Sequence, residues 1–252
     1  MINIFIGYDH REAIAYHVCA NSIIRHSSKP ISFTPLALKN MQDYQETHTD
    51  GSNQFIYSRF LVPHLMEYNG WAIFMDGDML VRDDIDALWA LRDDSKAVMV
   101  VKHDYKTKMT EKYLGAKNEN YPRKNWSSMI LWNCAHPTNR AVTPEMVNKE
   151  TGQYLHRFSW LKDEEIGSVD HSWNWLVGWY KEPKDGEPKV LHYTEGGPWF
   201  ENYRTCEYAD VWWKYLIDYA NEIGRNNTQV YAPITWVTSL SREYYTYAAN
   251  LT

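Results

Sequence analysis

WAIFMDGDMLVRDDID, residues Trp71 to Asp86, is the stretch whose reading decides the fold. Trp71 to Met75 is short, bulky and without polar alternation, the pattern of a strand buried on both faces, as in the parallel part of an open α/β sheet. It runs into Asp76-Gly77-Asp78 and a second apolar run, Met79-Leu80-Val81. The carboxyl end of such a strand is where open α/β sheets present ligand-binding groups. Two carboxylates there are expensive to bury unpaired, so a divalent cation or a basic partner is expected. In extended backbone, side chains two apart share a face, and Gly77 leaves room for close approach by a ligand. Oxygen ligands suit Mg²⁺ or Mn²⁺, either of which would hold a diphosphate. The competing reading is an acidic turn, since Asp and Gly are ordinary turn residues.

Working toward the N-terminus, Gln54 to Tyr68 carries apolar residues at Phe55, Phe60, Leu61, Leu65 and Met66 and predicts a helix leading into the central strand. Arg59 within it has two candidate jobs, pairing with a carboxylate of the acidic cluster or touching a phosphate, against simple surface solvation. Ile31 to Leu38 predicts a strand and Asn40 to Asn53 a loop. Ile2 to Ile6 predicts the first strand, followed by Gly7-Tyr8-Asp9 and a helix from about Arg11 with Ala13, Tyr16, His17, Ala20 and Ile24 at helical spacing. Tyr8 is placed to stack on a base, and Asp9 either to accept a hydrogen bond from one or to cap the helix. No GxGxxG or GxxxxGK[ST] motif accompanies this turn, so neither a dinucleotide fold of the usual kind nor a P-loop is supported.

On the other side, Ala97 to Val101 predicts a strand ending in Lys102-His103-Asp104-Tyr105, a candidate pocket wall, and Lys106 to Lys124 an excursion over the site. Trp126 to Asn133 reads as a strand, Gly152 to Leu161 as a helix, and Trp173 as the start of an aromatic helix. Asp170 before it is a helix cap or a sugar-binding carboxylate. Val190 to Tyr193 reads as a strand that ends in a glycine-permitted loop at Gly196-Gly197. His192 is a buried structural histidine or a nitrogen ligand to the ion of Asp76 and Asp78, a set that suits Mn²⁺. Tyr208 to Tyr219 predicts a last amphipathic helix, and Asn221 to Thr252 a segment wrapping the domain.

The 252-residue chain is long enough for one α/β domain with a sizeable core. A hydrophobic fraction of 44% with 23% charged residues fits a soluble protein, and no segment approaches a transmembrane run, which leaves only peripheral membrane contact. With 26 Lys and Arg against 32 Asp and Glu the formal charge is -6, which offers nucleic acid no broad attraction. Cys19, Cys134 and Cys206 cannot form a fully paired disulfide framework, and the polar opening MINIFIGYDHRE is no signal peptide, so a cytoplasmic location is expected. The 12 Trp and 19 Tyr supply flat surfaces for sugars or bases as well as core packing.

Taken in order, FIGYD (5–9), YSRFLVPHL (57–65), WAIFMDGDMLVRDDI (71–85), VDHSWN (169–174) and HYTEGGPW (192–199) resemble a glycosyltransferase of the GT-A fold, in particular the family 8 type that includes glycogenin and bacterial galactosyltransferases. The resemblance implies an α/β Rossmann-like, mostly parallel mixed sheet flanked by helices, as one domain over 1–252 with 200–252 as an extension. It implies metal-binding carboxylates at Asp76 and Asp78, with Asp76 also near the ribose or sugar, and His192 as the third ligand. It places Arg59 on the donor side, Asp9 at the uridine, Gly196 and Gly197 in the donor-side loop, and Asp170 at the sugar. The implied reaction is metal-dependent transfer of a sugar, with retention, from a nucleotide-diphospho-sugar donor, a UDP-sugar, to a hydroxyl of a glycan or other acceptor. The alternatives are a sugar-phosphate nucleotidyltransferase and an inactive carbohydrate-binding protein. The loop here lacks the family's diphosphate-binding lysine, for which Arg204 or Lys102 are candidate substitutes, and Asn125 to Ser128 departs from the family's Phe-Asn-x-Gly segment.

Overall fold

A computed structural model describes residues 1–104, 122–181 and 186–226. Most of the excursion expected after Lys106, and the tail beyond Asn226, lie outside the described residues.

Strands β1 (Ile2–Gly7), β2 (Ile31–Leu36), β3 (Trp71–Met75), β5 (Val98–Val101), β6 (Met129–Asn133) and β7 (Ile166–Val169) form a six-stranded sheet in the order β2-β1-β3-β6-β5-β7. A second, three-stranded sheet has the order β4 (Met79–Val81), β9 (Val190–His192), β8 (Trp175–Leu176). The large sheet is mixed: β1 runs parallel to β2 and β3, β5 parallel to β7, and β6 antiparallel to both its neighbours. Helices α1 (Ala13–Arg25), α2 (Val62–Leu65), α3 (Ile85–Trp89), α4 (Pro144–Lys149), α5 (Gly152–His156) and α6 (Ala209–Asn226) complete the α/β architecture.

The unbroken apolar run of β3 has a direct structural cause. Ala72 and Phe74 enter one core cluster, with Phe60, Ile130 and Trp132, while Ile73 and Met75 enter another on the opposite face, with Ile4, Ile6 and Leu131. All four side chains are fully buried. Burying a large apolar side chain contributes about 1.5–3 kcal/mol, so both faces of this one strand stabilise the domain. A third cluster joins α1, the small sheet and α6 through Val18, Leu80, Leu191, Trp212 and Leu216. Ion pairs from Arg25 to Glu222 at 2.8 Å and to Asp218 at 3.7 Å fasten the polar edge of that contact.

Several elements differ from the sequence reading. The helix expected over Gln54 to Tyr68 is a 3-10 turn, Ser58–Leu61, followed by the single turn α2. Glu67 and Tyr68 adopt φ of 52° and 54°, which ends the helix, and Gly70 follows at 64°. The aromatic helix expected from Trp173 is a 3-10 turn, His171–Asn174, that feeds β8. The helix expected to reach Leu161 stops at His156, shortly before Phe158 at φ 52°. Strand β7 and helix α4 were not legible, because Ile166-Gly167-Ser168-Val169 is too weakly apolar and Pro144 sits where a breaker is normally read, although Pro is tolerated in a first turn.

Register explains where the polar residues gather. The parallel strands β1, β3, β5 and β7 all end on one side of the sheet, and antiparallel β6 begins there because Met75 pairs with Met129. Tyr8, Asp76, His103, Asp170 and the segment Asn125 to Ser128 are therefore delivered to the same edge. A backbone contact tightens this edge. An added Cβ on Gly77 would lie 2.4 Å from the Gly7 carbonyl oxygen, and one on Gly7 would lie 2.3 Å from the Phe55 ring. Gly77 thus makes room for the chain's own β1 terminus, not the ligand expected from sequence. Gly77→Ala is expected to cost about 1–3 kcal/mol, the usual scale of overpacking, read as a lowered urea midpoint. An unchanged midpoint would refute the contact.

Candidate active site

Asp76 and Asp78 leave the end of β3 on either side of Gly77, and the next three residues form β4. In that strand Met79 pairs directly with His192 of β9, and the Tyr193 N–H donates to the Asp78 carbonyl at 3.2 Å. This pairing sets the imidazole beside the carboxylates across more than a hundred residues of sequence. His192 Nε2 lies 3.4 Å from Asp78 Oδ1 and 3.9 Å from Asp76 Oδ2. One ligand-type atom from each of Asp76, Asp78 and His192 lies within 4.8 Å of the others, and all three residues are buried.

Arg59 is buried too, which excludes the solvated-surface reading. Its Nη1 lies 2.7 Å from Asp76 Oδ1 and donates to the Ser127 carbonyl at 3.0 Å, while Nε donates to the Ile56 carbonyl at 3.1 Å. The guanidinium carbon sits 5.1 Å from the Phe74 ring centroid and 5.3 Å from that of Phe55. Burial pushes the Asp76 carboxyl up to about 6, against the lowering effect of the Arg59 charge and with a further rise from Asp78. Desolvation wins even with a guanidinium alongside. The site is short of positive charge.

The imidazole is oriented by Asn174 and Ser128, whose role no local pattern signals. His192 Nδ1 and Asn174 Oδ1 are 2.9 Å apart, and Asn174 Nδ2 donates to Ser128 Oγ at 2.8 Å, which in turn donates to the Asn125 carbonyl at 2.7 Å. With Asn174 accepting, Nδ1 carries the proton and Nε2 presents its lone pair to the carboxylates. The Asp76 N–H also donates to the Ser128 carbonyl at 2.9 Å. Asn125 to Ser128, with Asn125 at φ 64°, is therefore the brace behind the triad despite its departure from the expected motif. Two carboxylates and one imidazole nitrogen, buried and mutually close, fit a divalent ion.

The other expected residues are placed as follows. Asp9 is buried and caps the 3-10 turn His10–Glu12. It accepts from the Arg11 N–H at 2.9 Å, from the Arg11 guanidinium and from the Gln54 N–H at 3.1 Å. Burial works to raise its carboxyl, but these donors hold it below the usual range. Tyr8 is half-buried and meets Tyr16 edge to face. Asp170 is exposed, caps His171–Asn174 through the Ser172 N–H at 2.9 Å, and lies 3.4 Å from His171 Nδ1. The hydrogen bonds recorded for Asp9 and Asp170 do not reach the triad. Gly196, at φ 138°, and Gly197 lie under the rings of Tyr203 and Trp199. Lys102 is exposed at the end of β5 with its ammonium 5.6 Å from the Trp126 ring, and Arg204 is half-buried.

Residues 32–203 match the family profile described as Glycosyl transferase family 8. The chain belongs to glycosyl transferase family 8. The matched span carries Arg59, the Asp76-Gly77-Asp78 turn, Asp170 and His192, and the family is one of sugar-transferring enzymes. Protein CDI of Arabidopsis thaliana is 48% identical to this family 8 chain over 227 residues, 87% of each. Among solved structures, the bifunctional glycosyltransferase WbbM superposes with a TM-score of 0.63 at 16% identity over 85% of this chain and 49% of its own. The glycosyltransferase GlyE of Streptococcus pneumoniae TIGR4 gives 0.58 at 16% over 85% and 59%. The galactosyltransferase LgtC, solved with donor and acceptor sugar analogs, gives 0.51 at 12% over 85% and 95%. The chain thus spans about half of WbbM and under two thirds of GlyE, and these likenesses establish the GT-A type of fold.

Ion binding should depend on pH in a defined direction. In the ion-free protein the raised Asp76 value, against 3.8 for an ordinary Asp, means that the folded state holds this proton more tightly than the unfolded chain. That contribution to stability is complete below the lower value and is lost as pH rises through about 6. An ion displaces the same proton, so the rise in Tm on adding Mn²⁺ should grow as pH passes upward through about 6. A Mn²⁺ effect that is flat or falls across this range would contradict the assignment. Asn174→Ala should weaken Mn²⁺ binding by about 10–100-fold in calorimetry, the usual cost of losing a group that orients a metal-binding histidine.

Proposed function

We propose that the chain transfers a sugar from a UDP-sugar to an acceptor hydroxyl with retention of anomeric configuration, with Mn²⁺ as the physiological ion. The observation that carries this reading is the buried set of Asp76, Asp78 and His192 at the sheet edge of a family 8 chain. Asp76, Asp78 and His192 would hold the ion, which when bound supplies positive charge opposite a departing diphosphate. The structure of LgtC in complex with donor and acceptor sugar analogs supports this reading.

The chain's own residues divide the remaining work. Arg59 adds a fixed positive charge beside Asp76 and, held by the Ser127 and Ile56 carbonyls, does not have to reorganise when negative charge builds nearby. Asn174 keeps the His192 Nε2 lone pair aimed inward. Tyr8 and Asp9 end β1 beside this edge and are the base-side residues, Gly196 and Gly197 shape the donor-side loop, and Asp170 is offered to sugar hydroxyls at the end of β7. With retention, the acceptor hydroxyl attacks the face from which the diphosphate leaves, and Asp170 acts as a positioning group, not a covalent one.

A nucleotidyltransferase is disfavoured by the family match. An inactive sugar binder would have little reason to keep two carboxylates buried beside an imidazole, given the repulsion between them.

Calorimetry with UDP-glucose and UDP-galactose, with Mn²⁺ and after chelation, tests the reading. Binding that survives chelation would remove the ion from it. Asp76→Asn and Asp78→Asn should each slow nucleoside diphosphate release on the order of 10²–10³-fold, the scale for loss of a group that meets developing charge. Circular dichroism should report an intact fold in each. Anomer-resolved NMR of the product should show retention, and inversion would overturn that part.

A further inference from the structure

At the end of the sheet that carries the triad, His103 follows β5 and is only 6% exposed. Its backbone is fixed by the Trp126 indole N–H, which donates to the His103 carbonyl at 3.0 Å, and by its own N–H, which donates to the Val101 carbonyl at 3.1 Å. Its Nδ1 lies 2.6 Å from the Tyr180 hydroxyl. Its Nε2 is buried without a hydrogen-bond partner among the described residues. The Trp175 indole N–H, in the same group of rings, is likewise without an acceptor. Tyr180 packs 5.4 Å from His171, on the same turn as Asn174, and 4.8 Å from Trp175, the first residue of β8. His103 is close enough to His192 and His171 for them to act on it electrostatically.

An idle polar atom at this depth is costly, and native proteins leave few of them. Here it lies at the sheet end that carries the candidate active site, within electrostatic reach of His192. We propose that His103 is a sugar-binding residue of this site, taking one hydroxyl of a pyranose through Nε2 while the half-buried rings of Tyr180 and His171, backed by buried Trp175, form the apolar wall around it. The inference rests on the sugar-transfer reading above and goes beyond it by naming the group that holds the sugar.

Chemistry selects a hydroxyl over a phosphate. Burial, with help from the neighbouring His192 and His171, drives His103 down to about 3, so the ring is neutral at physiological pH. A neutral imidazole offers an anion no charge. It does match a hydroxyl, which both donates and accepts, in whichever tautomer Tyr180 selects. Tyr180 keeps its proton, since burial pushes the phenol up to about 12, and its donation to Nδ1 would leave Nε2–H facing the sugar. An aromatic wall beside directional hydrogen bonds is the usual composition of a small-molecule site.

The test compares wild type, His103→Phe and His103→Gln in the presence of Mn²⁺. Calorimetry measures binding of UDP alone and of UDP-glucose, UDP-galactose and UDP-xylose. Kinetics measure donor hydrolysis and transfer to methyl glucosides and galactosides. If the pyranose is the donor's, His103→Phe should lose about tenfold in affinity for the preferred UDP-sugar while UDP binding is unchanged. If it is the acceptor's, donor affinity and hydrolysis should persist while the acceptor KM rises by about tenfold. In either case His103→Gln, which can still donate and accept, should recover most of the loss. Equal loss of UDP and UDP-sugar binding, or no change in any of these measurements, would overturn the proposal. Wild-type protein that binds Mn²⁺ but none of the UDP-sugars would overturn the UDP-sugar reading and this inference together, an outcome distinct from failure in His103→Phe alone.

Discussion

The burial of Asp76 is the constraint on which the rest of this site depends. A carboxylate at the buried end of β3 has lost its water, and the structure surrounds it with an arginine and an imidazole. Neither restores what solvation would supply, as the upward push on its proton records. Removing one partner of a buried ion pair typically costs about 3–5 kcal/mol, because the other charge is left stranded. Arg59 and Asp76 are therefore obliged to coexist. The arrangement is stable only in a fold that brings Arg59, β3 and β9 to one point.

Backbone packing achieves that convergence. Gly7 and Gly77 let the ends of β1 and the acidic turn meet at a distance no side chain would allow, and Phe55 closes over Gly7 from the segment that carries Arg59. The turn then enters β4, whose pairing with β9 fixes the height of His192. The backbone position of each ligand is thus set by main-chain geometry, and the orientation of the imidazole ring is set by side-chain contacts. Asn174 and Ser128 supply those contacts.

Much of this was legible in the residues because the cues were local. A strand apolar on both faces, stopping at two carboxylates, announced its own depth and its own end, and Val190-Leu191-His192 did the same for β9. What stayed hidden depends on contacts distant in sequence. Arg59 was assigned to a regular helix because Phe55, Phe60 and Leu65 fit a helical period, whereas two residues with positive φ and a run of 3-10 geometry shorten that helix to one turn. Asn174 lay in what looked like the start of an aromatic helix, and only the pairing of β8 with β9 turns its amide toward His192. The purpose of Gly77 was misread for the same reason, since nothing near it in sequence indicates that Gly7 is its neighbour.

His103 carries the argument one step further. The departure of Asn125 to Ser128 from the expected motif suggests a weakened site, yet that segment holds Arg59, Asp76 and Asn174 at once, and its Trp126 fixes the backbone of His103. The brace for the ion-binding side and the brace for the imidazole wall are the same four residues. One segment therefore ties the backbone of Asp76 to that of His103 and contributes to the spacing between the triad and the ring. A site that joins a charged centre to a neutral, ring-lined recess needs that spacing held constant, because a bound sugar and its diphosphate are linked by covalent bonds of fixed length.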